Sequence, residues 1–208
     1  MKVDPHIRKS SWAIGDVHGQ LVALDALLSA IPNQDMLYFL GDLVDRGEYV
    51  SGVIDRLISL KNDNRCDCIL GNHEEMMLAA TEDELSFEGW LYCGGKETMR
   101  SYGLVPVFQN INKIPYAHWQ FLSDCKPYIV ADEFLLSHAP LDPDTAIKHQ
   151  SDEYLRWSKM IPKRPHNSGK INVFGHVAQA RGEIYAEHGC IGIDTYAYGG
   201  GQLTALNL

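Results

Sequence analysis

Nowhere in this chain of 208 residues do apolar residues run for the ~20 positions that a membrane-spanning helix needs. The first residues carry no apolar leader of the kind that directs secretion. These two absences set the expectation of a cytoplasmic protein with no membrane partner. Positive charge is scarce as well: 18 Lys and Arg stand against 27 Asp and Glu, a formal net charge of −9. Nucleic-acid backbones are gripped by clustered Lys and Arg, so no nucleic-acid partner is expected. Cysteine is sparse and odd in number. The five residues, Cys66, Cys68, Cys93, Cys125 and Cys190, show no spacing that suggests a disulfide framework. Small buried thiols under reducing conditions are the expectation. Repeats, low-complexity tracts and linkers are absent too, which points to one domain over residues 1–208.

What the chain does contain is alternation. Met1–Ser10 is polar and reads as a short arm. Short apolar runs at Trp12–Gly15, Met36–Leu40 and Cys66–Leu70 read as strands. Between them, Gln20–Ile31 and Val50–Leu60 carry apolar residues at helical spacing. Strand, helix, strand, helix, strand forces a parallel sheet with right-handed crossovers. Further helices are expected at Glu74–Ala80, at Phe87–Tyr102 with a break at Gly94-Gly95, and at Pro115–Asp124, with an acidic turn at Thr81–Glu84. The second half is strand-rich: Tyr128–Ala131, Phe134–Ser137, Ile171–Phe174, Glu183–Ala186, Cys190–Ile193 and Gln202–Asn207. The interval Ala139–Lys170 reads as loop with one helical turn near Tyr154-Leu155. The expected fold class is α/β, a two-sheet β-sandwich flanked by helices.

The chemistry gathers at strand ends. The first three strands run into Gly15-Asp16-Val17-His18-Gly19, Gly41-Asp42-Leu43-Val44-Asp45-Arg46-Gly47 and Gly71-Asn72-His73-Glu74. In open α/β sheets, ligands collect outside the carboxyl ends of strands. Carboxylates, imidazoles and an amide oxygen are donors for divalent cations. Asp16 and His18 can grip one ion, Asn72 a second, and Asp42 between them can bridge both. His138 and His176 follow later β runs and complete six candidate ligands. Each piece alone also fits a structural role: a lone His as a core hydrogen-bonder, Asp45 and Arg46 as a plain surface pair. Repetition of the same strand-glycine-polar design is what argues for a site.

Those three segments resemble the signature motifs of the phosphoprotein phosphatase family, within the calcineurin-like metallophosphoesterases. Ser137-His138-Ala139, Gly175-His176 and Ile193-Asp194-Thr195 with Gly199-Gly200 resemble its C-terminal motifs. The likeness runs from Trp12 to the last strand and is nearest to the small bacterial and phage-type serine/threonine protein phosphatases. It implies two divalent ions, Mn²⁺ first among them with Fe, Zn or Ni as alternatives. Asp16, His18 and Asp42 would hold one, and Asp42, Asn72, His138 and His176 the other. It also implies direct attack on phosphorus by a water bridging the ions, with His73 as proton donor oriented by Asp45 and Arg46 on phosphate oxygens.

Three positions depart from the pattern. Where the family often has Trp-x-Arg, this chain reads Trp157-Ser158-Lys159 with Arg156 just before, so either Arg156 or Lys159 is expected as a second phosphate clamp. Tyr196 stands where Gly is frequent, and Val177 where Thr is common. The expected activity is that of a metal-dependent phosphomonoesterase, foremost a serine/threonine protein phosphatase, with a phosphoprotein or small phosphate ester as substrate. The alternative is a symmetric bis(5'-nucleosyl)-tetraphosphatase, a branch in which the Asp45 position is often not acidic. The second alternative is a non-catalytic metal-binding interaction module.

Overall fold

Alternating short strands and amphipathic helices do build a parallel sheet at the start of the chain. The computed structural model describes residues 10–208, so the arm expected at Met1–Ser10 lies, apart from Ser10, outside the described residues. Strand β1 (Ser11–Ile14) leads through helix α1 (Leu21–Ala30) to β2 (Met36–Phe39), and through α2 (Val50–Asn62) to β3 (Cys66–Cys68). β2 pairs in parallel with both β1 and β3. On α2, Val50, Val53, Ile54, Leu57 and Leu60 are buried, the spacing of one helical face. They share a core with Ile14, Leu37 and Phe39 of the sheet.

Helices α3 (Asn72–Ala79), α4 (Glu84–Trp90), α5 (Lys96–Ser101) and α6 (Tyr116–Ser123) follow. The helix expected at Phe87–Tyr102 with a break at Gly94-Gly95 is α4 and α5, separated by a kink at Gly94, where φ is 122°. α4 also begins earlier than expected, inside the presumed acidic turn. The Asp83 side chain accepts from the Ser86 N–H at 2.8 Å and caps the helix there. α3 begins two residues before the expected start, which puts Asn72 and His73 in its first turn.

The rest of the chain supplies β4 (Ile129–Ala131), β5 (Phe134–Ser137), the short helix α7 (Asp152–Arg156), β6 (Ile171–Phe174), β7 (Tyr185–Glu187), β8 (Cys190–Gly192) and β9 (Ala205–Asn207). Five of these strands form a second sheet in the order β4-β5-β6-β8-β7, while β9 returns to the first sheet, β3-β2-β1-β9. The expected strands Glu183–Ala186 and Gln202–Asn207 begin later than expected, because Glu183-Ile184 and Gln202–Thr204 lie outside the strand ladders. Between the sheets lies a second core of Ala13, Leu40, Ile69, Ile129, Leu136, Val173 and Ile193. Strand alternation explains the division: Ala13 enters this core, while Ile14 faces the helices. β5, β6 and β8 run parallel, as do β1, β2 and β3. The expected α/β architecture of two sheets flanked by helices is the one observed.

All five cysteines are free. Cys66, Cys68 and Cys190 are buried as expected, whereas Cys93 is exposed. Among the described residues, no helix is long and apolar enough to cross a membrane.

Candidate active site

The segments after β1, β2, β3, β5 and β6 bring the polar side chains of both halves together. Two clusters share Asp42: His18, Asp42 and His73 in one, Asp42, His138 and His176 in the other, each with donor atoms within 4.8 Å of one another. The loops reach this arrangement through unusual backbone. His18, Asp42, Asp45, Arg46 and His176 all have positive φ, between 42° and 68°. Non-glycine residues held there cost energy and gather at functional sites. Gly41 is required outright, since its φ is 101° and a Cβ would lie 2.7 Å from the Gly71 nitrogen.

Backbone carbonyls orient the imidazoles. His18 Nδ1 donates to the Val44 carbonyl at 2.8 Å and His138 Nδ1 to the Leu40 carbonyl at 2.8 Å. Each ring thereby turns an unprotonated Nε2 inward. His138 Nε2 then faces Asn72 Oδ1 at 2.9 Å and Asp42 Oδ1 at 3.2 Å. Three acceptors that converge with no proton between them fit a cation. The electrostatics agree. Burial works against the Asp42 carboxylate, yet His138, His73 and His18 outweigh it and hold it well below its ordinary range. Burial pushes His138 down, and burial together with His138 takes His176 to about 4, both in the direction that favours a neutral ring with a free lone pair.

Asp16 is placed differently from the expectation. Both of its carboxylate oxygens lie 3.1 Å from the His176 N–H. It is outside the two tight clusters, and His73 occupies the place expected for it in the first. It is nonetheless 3% exposed, and burial, Asp194 and Asp42 push its carboxyl well above the ordinary range. A divalent cation would relieve that crowding of carboxylates.

Asp45 is fully buried and accepts three hydrogen bonds, from Thr98 Oγ1 at 2.7 Å, Trp90 Nε1 at 3.0 Å and His73 Nδ1 at 2.7 Å. Burial opposes a charge on His73, but the carboxylates of Asp42 and Asp45 prevail and raise it above its ordinary value. Arg46 forks across the site, with Nη1 2.8 Å from His18 Nε2 and Nη2 2.9 Å from His73 Nε2. The Tyr198 ring covers the guanidinium, 4.2 Å from centroid to Cζ. Gly94 completes the support, its carbonyl accepting from the Arg46 N–H at 3.2 Å.

Glu74 braces the whole Asp42 loop. Its Oε1 accepts from the N–H groups of Leu43 and Val44 at 2.7 and 3.1 Å, its Oε2 from those of Asp42 and Gly71 at 2.8 and 2.9 Å. The reach back to Gly71 from the third helical position is a helix-capping contact, visible in sequence as Gly-x-x-Glu. The other three bonds had no sequence signal. The same holds for Trp90 and Thr98, which come to Asp45 from 45 and 53 positions away.

A cavity of about 350 Å³ opens onto these groups, lined by Asp42, Arg46, His73, Lys159, His176 and Tyr198 among others. Of the two clamp candidates, only Lys159 faces it. The Arg156 guanidinium is committed to Glu75, at 2.8 and 2.7 Å, and to Asp152 at 2.8 Å. A roomier groove of about 830 Å³ beside Asp25, Arg56 and Arg65 contains none of the clustered donors.

The chain is similar to known proteins. The chain is 29% identical over 149 residues to the symmetrical bis(5'-nucleosyl)-tetraphosphatase of Chromohalobacter salexigens, covering 69% of this chain and 49% of that protein. It is 43% identical over 67 residues to the protein of the same description from Ralstonia nicotianae, covering 32% and 24%. The chain thus spans about half, or less, of the length of these curated relatives. A crystal structure described as a candidate diadenosine tetraphosphatase superposes with a TM-score of 0.71 at 23% identity, over 99% of this chain and 91% of that one. The cold-active protein-tyrosine phosphatase of a Shewanella species superposes at 0.65 with 17% identity, over 96% and 75%. At such identities the two structures establish a common fold. Residues 10–190 match the sequence profile of the calcineurin-like phosphoesterases, and with the two His/Asp clusters joined at Asp42 the chain belongs to that family.

Proposed function

We propose that this chain is a metal-dependent hydrolase whose substrate is a dinucleoside tetraphosphate, cleaved symmetrically. The observation that carries the hydrolytic reading is the pair of donor clusters sharing Asp42, with Arg46 beside them. The substrate is supported by the curated relatives, which are described as symmetrical bis(5'-nucleosyl)-tetraphosphatases. That support favours the alternative over the serine/threonine phosphatase expected first from sequence.

In this reading Asp42, Asn72, His138 and His176 would hold one ion, and His18, Asp42 and Asp16 the other, Asp16 by turning from the His176 N–H. When bound, the ion pair supplies Lewis acidity and an activated water. The remaining steps belong to the side chains. Arg46 presents a planar fork to the equatorial phosphate oxygens, where transition-state charge accumulates. Lys159 adds a point charge from the cavity wall. With Arg46 turned from His73 Nε2 onto phosphate, His73 can carry a proton on that nitrogen and deliver it to the departing oxygen, its ring held by Asp45 through Nδ1.

One observation favours a second reading, hydrolysis of phosphoserine or phosphothreonine. A nucleoside diphosphate leaves readily as an anion, whereas a serine alkoxide needs a proton. The 2.7 Å contact between His73 and Asp45 equips the site for that harder task. The deciding experiment sets diadenosine tetraphosphate, a phosphoserine peptide and nitrophenyl phosphate side by side with added Mn²⁺. Release of ADP from the first at a kcat/KM well above the phosphopeptide's is the expected result. A phosphopeptide preference would overturn the dinucleotide reading, and no turnover of any of the three would overturn the enzyme.

A further inference from the structure

The cavity at the metal clusters is too small for the proposed substrate. Its volume, about 350 Å³, is at the low end of what houses one drug-sized ligand. A dinucleoside tetraphosphate is roughly two such ligands joined by phosphates. One of its halves must lie outside.

A second pocket of about 300 Å³ adjoins the first across an aromatic ridge. Tyr198 lines the first cavity and Tyr196 lines the second, and their rings sit 4.6 Å apart at 64°. Tyr196 is built in at a cost. It has φ 64°, a conformation that favours glycine, and it lies against Gly199 so closely that no Cβ fits there. The pocket beyond is lined by Arg181 and Gln202 together with Gly199, Gly200 and Gly201. Arg156 and Arg164 are engaged by carboxylates, whereas Arg181 has no such partner among the described residues. In a chain of net charge −9, an uncommitted guanidinium next to the reaction site is suited to an anion.

We propose that the pocket beyond the Tyr196–Tyr198 ridge is a subsite for the distal nucleotide of a dinucleoside polyphosphate, with Arg181 on its phosphate and Tyr196 against its base. The proposal rests on the dinucleotide reading given above. Bases stack on aromatic side chains whatever their identity, so the subsite selects for a nucleotide but not for adenine. At Gly200 nothing lies within 4 Å of where a Cβ would stand, which leaves room for the ribose and phosphate to pass close to the backbone.

The test uses Arg181→Gln, at an exposed position, and Tyr196→Gly, which also relieves the left-handed backbone. For each variant the KM for diadenosine tetraphosphate is divided by the KM for nitrophenyl phosphate, which is too short to reach the pocket. Calorimetric affinity for diadenosine tetraphosphate is measured in parallel on chelator-treated protein. Arg181→Gln should raise the KM ratio about tenfold, the loss of one exposed charge-assisted contact, and weaken calorimetric binding by a similar factor. Tyr196→Gly should do so by about threefold to tenfold, with a melting temperature no lower than wild type. Unchanged affinity in both variants, or equal losses on the two substrates, would overturn the subsite. Wild-type protein that binds the dinucleotide through Arg181 and Tyr196 yet releases no ADP would uphold the subsite and overturn the activity.

Discussion

Replacing Glu74 by Gln is the most direct test of how this site is held. The carboxylate accepts four backbone N–H groups, two on each oxygen, and is fully buried. An amide has one oxygen and can satisfy one pair of donors; its NH₂ would face the other pair. Two buried N–H groups lose their acceptor, at ~1–3 kcal/mol each. Partial relaxation of the loop trims the sum to about 3 kcal/mol. For a chain of 208 residues, each kcal/mol lowers the melting temperature by about 2–4 °C, so a drop of about 6–12 °C is expected. The damage should reach the site, because the released donors are either those of Leu43 and Val44 or those of Asp42 and Gly71. Manganese affinity should fall by about 10–100-fold, the usual effect of losing a group that orients a ligand. Calorimetric melting of the chelated protein and Mn²⁺ titration read the two effects separately. A Glu74→Gln protein melting within about 2 °C of wild type would refute the reasoning, as would normal metal affinity in a destabilised variant.

Four further outcomes are expected. Asp42→Asn should lose both ions, since Asp42 belongs to both clusters; elemental analysis that finds the same metal content as wild type would remove the shared-ligand model. His73→Asn should slow phosphoserine hydrolysis far more than nitrophenyl phosphate hydrolysis while metal content holds, and equal losses would leave the proton-donor role unsupported. Lys159→Ala should raise KM, whereas Arg156→Ala should lower the melting temperature with little change in KM, because Arg156 is tied to Glu75 and Asp152. In chelated protein, burial and His138 depress His176 from 6.5 to about 4. The unfolded chain therefore binds more protons between those values, so that part of the stability is complete above pH 6.5 and is lost as the pH falls toward 4. Denaturant titrations of wild type and His176→Asn across that range should show a shallower slope in the variant.

What the sequence determined by itself was the local part of the design. Helical spacing in α1 and α2 and continuous apolar runs in the strands are short-range signals, and each predicted its element to within a few residues. Gly-polar segments after three strands, and His138 and His176 after two more, identified the rim, because a parallel strand's carboxyl end is a fixed place in a sheet. Helix α4 was misjudged at its start because Asp83 serves equally as turn residue and cap, and only the geometry at Ser86 decides. Groups that act from a distance were the tertiary structure's to decide. Trp90 and Thr98 reach Asp45 together because the kink at Gly94 turns the two helices about the Asp45-Arg46 loop. Arg156 and Lys159, three positions apart, both looked fit to clamp phosphate. Glu75, far away in the chain, lies where it neutralises the first and leaves Lys159 in the cavity wall. Sequence spacing says which side chains can share an element; which of them remain uncommitted depends on partners brought close only by packing.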